Sequence, residues 1–147
     1  MPKFHIIAVG RLKSGPLKDA LDEYIKRITY DLKIHELDVR AGTAREHAAI
    51  QNGMIPGAFT IVLDERGKTM SSPALAKLIQ TQIDSGIRDI QFIIGGADGL
   101  NDDIRAKANH ILSFGGMTWP HMLTRVMLAE QIYRAQTIIA GHPYHRE

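Results

Sequence analysis

The sequence predicts an α/β fold: a mostly parallel sheet with helices on both faces. Three observations carry that expectation. Short apolar runs alternate with segments of helical period along all 147 residues. Several of those runs are apolar at successive positions, as strands covered on both faces require. Helix punctuation falls where it should: Pro16 and Ser71-Ser72-Pro73 open helices, and Gly86 and Gly141 close them.

In chain order, "KFHIIAVG" reads as a buried strand ending at Gly10. "PLKDALDEYIKRI" places Leu17, Leu21, Tyr24, Ile25 and Ile28 at helical spacing. "LKIHELDV" is a second strand, and residues 43–53 form a helix that stops near Gly53 and Pro56. "AFTIVLD" is a third strand running into a charged loop, "ERGKT". "SSPALAKLIQTQIDSG" is a serine-capped helix. "DIQFIIGG" is a fourth strand, "NDDIRAKANH" a short helix with acids at its positive end, and "ILSF" a fifth strand. "PHMLTRVMLAEQIYRAQTIIAG" is a long helix, apolar nearly all round. Such a helix must be buried, and a chain of this size has limited room, so a second copy is expected to cover part of it. Arg125 and Arg134 on it then become charges in need of partners. No linker or composition shift divides residues 1–147, which are expected to form one domain.

Composition excludes several classes. Cysteine is absent, which removes disulfides and thiolate metal sites and suits a reducing compartment. The opening lacks a signal-peptide pattern, and no apolar run approaches the roughly 18 residues that cross a bilayer, so a cytosolic location is expected. The net charge of +2 includes no Lys/Arg tract, so any nucleic-acid contact must come from a patch assembled by folding.

Ligands of parallel sheets sit beyond the carboxyl ends of the strands, which singles out "LDERGKT", "GGADGL" and "FGGMTWPH". "VGRLKSGP" has phosphate-loop glycine spacing, but Pro16 and Leu17 stand where Lys-Ser or Lys-Thr is needed. "IIGGADGL" is not G-x-G-x-x-G, so a dinucleotide fold is unsupported. Its glycines serve a tight turn or the approach of a flat ligand to the backbone. A second Gly-Gly pair, flanked by Phe114, Met117 and Trp119, tips the balance toward a nucleoside-like molecule, whose faces apolar side chains cover while backbone groups read its edge. The terminal "HPYHRE" puts two histidines, a tyrosine and an arginine where chains usually fray. His142 and His145 lack a third metal ligand, so no metal is expected. Imidazole and phenol suit proton transfer, and Arg146 suits phosphate.

Together these residues resemble a known family. "FIIGGADGL", "SFGGMTWPHMLTRVMLAEQIYRAQTI" and "HPYHRE", with "AVGRLK" and "LDERGK" before them, are similar to the RlmH (YbeA) family of SPOUT methyltransferases over essentially the whole chain. The resemblance implies a C-terminal trefoil knot, a homodimer and S-adenosylmethionine as methyl donor. It also implies 23S ribosomal RNA as substrate, methylated at N3 of a pseudouridine in helix 69 of the assembled ribosome. Matched by position, the donor pocket is Leu63, Gly95, Phe114, Gly115, Gly116, Met117, Thr118 and Trp119. Arg134, Tyr144, His145 and Arg146 are then expected to form the reaction centre: His145 or Tyr144 to accept or relay the proton, the arginines to hold the base or its phosphate, and Glu130 to orient Arg134. The rival expectations are a non-catalytic ribosome-associated factor with a vestigial nucleoside pocket, and a nucleotide-dependent enzyme such as an oxidoreductase.

Overall fold

A computed structural model describes residues 1–39 and 42–146; Glu147, the last residue of the tail motif, lies outside them. The strands are β1 (Lys3–Val9), β2 (Leu32–Leu37), β3 (Phe59–Thr69), β4 (Asp89–Ile94) and β5 (His110–Ser113). The helices are α1 (Pro16–Arg27), α2 (Thr43–Gly53), α3 (Ser72–Asp84), α4 (Asp102–Ala106) and α5 (His121–Ala140). All strand pairs are parallel, in the order β2-β1-β4-β3-β5.

Strand alternation builds both layers. Phe4, Ile6 and Ala8 of β1 face one side, with Leu75 and Ile79 of α3 and Leu128, Ile132 and Ala135 of α5. Ile7 and Val9 face the other, with Ile50 of α2 and Ile104 of α4. α1 adds Leu21 against Leu12, Val126 and Ala129, which completes the α1, α5, α3 layer. Helices on both faces explain why β1 and β4 are apolar at nearly every position. Among the described residues no helix is long and apolar enough to cross a membrane.

Two expectations are corrected. "ERGKT" is not a loop: β3 continues to Thr69, pairing with β5 at Leu63↔Leu112 and again at Lys68↔Leu112 across a bulge. Gly67 allows this, because a Cβ there would sit 2.5 Å from the Ile111 carbonyl oxygen. The short helix ends at Ala106 rather than 110, since Asn109 exchanges hydrogen bonds with Thr60 and draws the chain into β5: its side chain accepts from the Thr60 amide at 2.8 Å, and its own amide donates to the Thr60 carbonyl at 2.8 Å. Much of α5 is buried by its own chain, between α1 and α3 and over the sheet, while Leu123, Met127 and Tyr133 stay partly exposed. Arg125, fully buried, finds its partners within the chain: Glu36 at 2.7 Å and the carbonyls of Val9 and Gly10 at 3.1 and 2.9 Å. It braces the exit of β1.

The opposite end of the sheet carries a polar cluster. His5, 5% exposed, bonds His35 at 3.0 Å and Asp89 at 2.8 Å. Burial, then the charges of His5, Lys33 and Lys3, pushes the His35 imidazole below its ordinary range. The unfolded chain therefore takes up this proton at higher pH than the folded one. The stabilisation is present above about pH 6.5 and is lost as pH falls through and below that value. Thermal midpoints should fall on acidification from pH 7 to 5, and His35→Gln, which keeps a donor for His5, should flatten that slope. An unchanged slope in the variant would rule the linkage out.

Candidate active site

The carboxyl ends of β3, β4 and β5 open on one cavity of about 250 Å³. Leu63, Ile94 and Leu112, the closing apolar residues of the strands, line its floor. One wall is the turn after β4. A Cβ on Gly95 would lie 2.8 Å from Leu100 Cδ2 and 3.0 Å from the Gly99 carbonyl oxygen, so only glycine lets this turn double back so tightly. α2 supports the turn from behind, with His47 Nε2 donating to the Gly99 carbonyl at 3.1 Å. The other wall is the segment after β5. Gly115 takes a φ of 112°, its amide donates to Ser113 Oγ at 3.1 Å, and Trp119 Nε1 donates to the Phe114 carbonyl at 3.3 Å. Met117 and Trp119 stand exposed at the rim.

Seven of the eight residues expected to hold the donor meet at this cavity; Gly116 is exposed and outside the lining. The lining also includes Asp64 and His121, which lie in two of the loops that the sequence singles out, and Arg105 and Thr124, which sequence reading missed. Asp64 Oδ2 accepts from Arg105 Nη1 at 3.0 Å, Asp64 Oδ1 accepts from the Arg66 amide at 2.8 Å, and Arg105 also bonds Asp102 and the Leu100 carbonyl. One guanidinium thus joins the β3 wall to the β4 wall. For Asp64 the available signal was its place in "LDERGKT"; Arg105 had none.

The tail is folded. Gly141, at φ 73°, closes α5, and His142 donates its amide to the Thr137 carbonyl at 2.9 Å, turning the chain back along the helix. Tyr144 Oη then donates to Glu130 Oε2 at 2.7 Å, and the Tyr144 ring packs edge-on against Tyr133 at 4.7 Å. Arg134 forks onto both Glu130 oxygens, at 3.2 and 2.7 Å, and lies 4.8 Å from the centre of the Tyr144 ring. Its Nη1 also donates to His145 Nδ1 at 3.0 Å. Because a guanidinium has no lone pair to offer, that contact makes Nδ1 the acceptor and puts the His145 proton on Nε2. The Nε2 atom is buried without a partner among the described residues. Burial first, then the bond to Glu130, pushes the Tyr144 phenol up to about 12. Arg146 is exposed and has no side-chain bond among the described residues.

The tail cluster and the cavity do not meet within one chain. Thr124 lines the cavity and Arg134 anchors the cluster, ten residues apart on one helix, or about 15 Å. Among the described residues no group of three or more His, Asp or Glu is placed to hold a metal ion.

A cavity beyond the carboxyl ends of a parallel sheet stands where ligands of such sheets usually bind. Residues 2–145 match the family described as "Predicted SPOUT methyltransferase", and the chain belongs to that family. Its curated relatives are narrower in kind. The protein called ribosomal RNA large subunit methyltransferase H in Rhodospirillum centenum is 47% identical, covering 96% of this chain and 97% of the relative. Its namesake in Sphingopyxis alaskensis is 47% identical over 97% and 96%, and the one in Ruegeria pomeroyi 45% over 96% and 97%. Among solved structures, a probable methylase family protein from Haemophilus influenzae shares the fold, with a TM-score of 0.59 at 9% identity over 95% of this chain and 67% of that one.

Proposed function

We propose that this chain methylates large-subunit ribosomal RNA, using S-adenosylmethionine, at N3 of a pseudouridine in helix 69 of the 23S molecule on the assembled ribosome. The observation that carries the reading is the pair of glycine-built walls around the cavity, in a chain nearly half identical to proteins named for that class of reaction. S-adenosylmethionine fits the cavity by chemistry: apolar residues on the floor cover a ring, and bare backbone at Gly95 and Gly115 offers amides and carbonyls to its edge. When bound, it supplies a methyl group on a positively charged sulfur. Gly95→Val is expected to push Leu100 and the Gly99 carbonyl out of place and weaken S-adenosylmethionine binding at least about tenfold, with the helical signal in circular dichroism retained. Calorimetry checks this, and wild-type affinity in the variant would move the donor site elsewhere.

The chain's own residues have two tasks, to place the acceptor and to remove one proton. The N3–H of the base is a poor nucleophile until that proton leaves. Tyr144 with Glu130 behind it forms a relay: the phenol oxygen takes the imide proton as its own passes to Glu130 Oε2. A phenol at about 12 keeps its proton near neutral pH, so it works by this hand-over rather than as a phenolate. His145, with Nδ1 committed to Arg134, is a hydrogen-bond donor rather than the base. Arg134 opposes the negative charge that develops on the ring oxygens, and Arg146 takes a phosphate.

Two copies are needed, because cavity and cluster stand apart on one rigid helix while Leu123, Met127 and Tyr133 of that helix remain partly exposed. One copy lends the donor cavity and its twin the tail. The trefoil threading belongs to the same reading. It is supported by the path of the chain, which leaves edge strand β5, passes the ends of β3 and β4 through residues 114–120, and is anchored by Arg125 at the exit of β1. Mass spectrometry of ribosomal RNA, from ribosomes lacking the modification and incubated with protein and S-adenosylmethionine, tests the function. One added methyl on a helix 69 pseudouridine is the expected result; unmodified RNA would refute it.

A further inference from the structure

We infer that the turn from Gly10 to Lys13 is a cationic grip for the sugar–phosphate backbone of the RNA beside the donor cavity, with Arg11 and Lys13 as its phosphate contacts. The inference rests on the RNA reading above and adds a surface to it.

The turn is built around a buried anchor. Leu12 is 8% exposed and packs on Val126 and Ala129 of α5, while Arg11 and Lys13 on either side of it are exposed. The Leu12 amide donates to Glu36 Oε2 at 2.7 Å, and the same oxygen accepts from Arg125 Nη1 at 2.7 Å. Arg125 Nη2 in turn donates to the carbonyls of Val9 and Gly10. A fully buried guanidinium and its carboxylate therefore spend most of their hydrogen bonds on the backbone of this one turn. Buried ion pairs add little net stability over apolar side chains of similar size. What this pair does achieve is a fixed backbone shape at residues 9–12.

The turn also stands at the site. A Cβ on Gly10 would lie 3.0 Å from Met122 Cε and 3.9 Å from His121 Nε2, and His121 lines the donor cavity. Arg11 thus follows directly on the glycine that faces a residue of the cavity wall. Residues 10–18 carry three cations, Arg11, Lys13 and Lys18, and no acid. Lys18 is paired with Asp22, whereas Arg11 and Lys13 make no ion pair or side-chain hydrogen bond among the described residues. Two unpaired cations on a braced turn, beside a cavity whose rim exposes Trp119, fit a polyanion carrying flat bases. With a net charge of only +2, a local grip of this kind is how the chain can hold RNA without a basic tract.

The test uses the full-length protein with ribosomal particles as substrate. Arg11→Gln and Lys13→Gln, singly and combined, are compared with the wild type for KM, kcat and the dependence of KM on KCl, with S-adenosylmethionine affinity measured by calorimetry. Lys77→Gln on the exposed side of α3 serves as control. The combined variant is expected to raise KM for particles about tenfold, to leave kcat and donor affinity within about twofold, and to make the log KM against log salt slope shallower by about one to two units. Wild-type KM and salt slope in the combined variant would overturn the grip. So would an equal effect from Lys77→Gln, or a parallel loss of donor affinity, which would assign the turn to the donor cavity. Wild-type protein that methylates no ribosomal RNA would overturn the functional reading itself, and the grip with it.

Discussion

Tyr144→Phe is expected to lower the single-turnover rate of methylation on ribosomes by about 10²- to 10⁴-fold, the usual range for loss of one proton-transfer group. The change deletes a single oxygen. That oxygen donates to Glu130 at 2.7 Å, while the ring itself packs on Tyr133 and beneath Arg134, contacts that phenylalanine keeps. Glu130 also keeps its fork with Arg134, so the cluster should hold its shape. Donor affinity should stay within about twofold, because the deleted hydroxyl bonds Glu130 and neither residue belongs to the cavity lining. The two readouts separate chemistry from binding. A rate within fivefold of wild type would remove Tyr144 from the relay and turn attention to the other groups of the tail.

The second large effect concerns stability. Arg125→Ala should destabilise the fold by about 3 kcal/mol, the lower end of the range for removing one partner of a buried pair. The lower end applies because the Glu36 side chain is 35% exposed and can be rehydrated, whereas Arg125 is fully buried. The carbonyls of Val9 and Gly10 lose a donor as well, and a cavity opens at the junction of β1, β2 and α5. For a chain of this size the loss corresponds to roughly 6–12 °C in the thermal midpoint. Glu36→Gln, which leaves an acceptor for Arg125 and for the Leu12 amide, should cost clearly less. Urea unfolding of both variants checks the order. If Arg125→Ala lies within about 1 kcal/mol of wild type, the brace is not what holds the β1 exit.

Much of the site was legible before the fold was known, and for a specific reason. Gly95, Phe114 and Gly115 stand directly after strands, and a parallel sheet places such residues at one edge whatever the order of its strands. The tail was legible as chemistry, from the types of its side chains, but not as geometry. Nothing in the spacing of residues 142–146 shows that Tyr144 reaches back 14 positions to Glu130, or that Arg134 decides the tautomer of His145. Arg105 was passed over, and Asp64 not picked out within its loop, because the two are 41 positions apart and no local spacing links them.

Local pattern by itself determined most of the elements of this protein: where each strand and helix lies along the chain, and where glycine and proline end several of them. The faces of a strand or helix are set within a few residues, so their burial is written in short-range periodicity. Only the tertiary structure decided the order β2-β1-β4-β3-β5, the second pairing of β3 with β5 beyond its bulge, and the link from Arg125 to Glu36 across 89 positions. These depend on which apolar faces and which charges satisfy one another best once the whole chain is collapsed, a choice that no short window of residues contains.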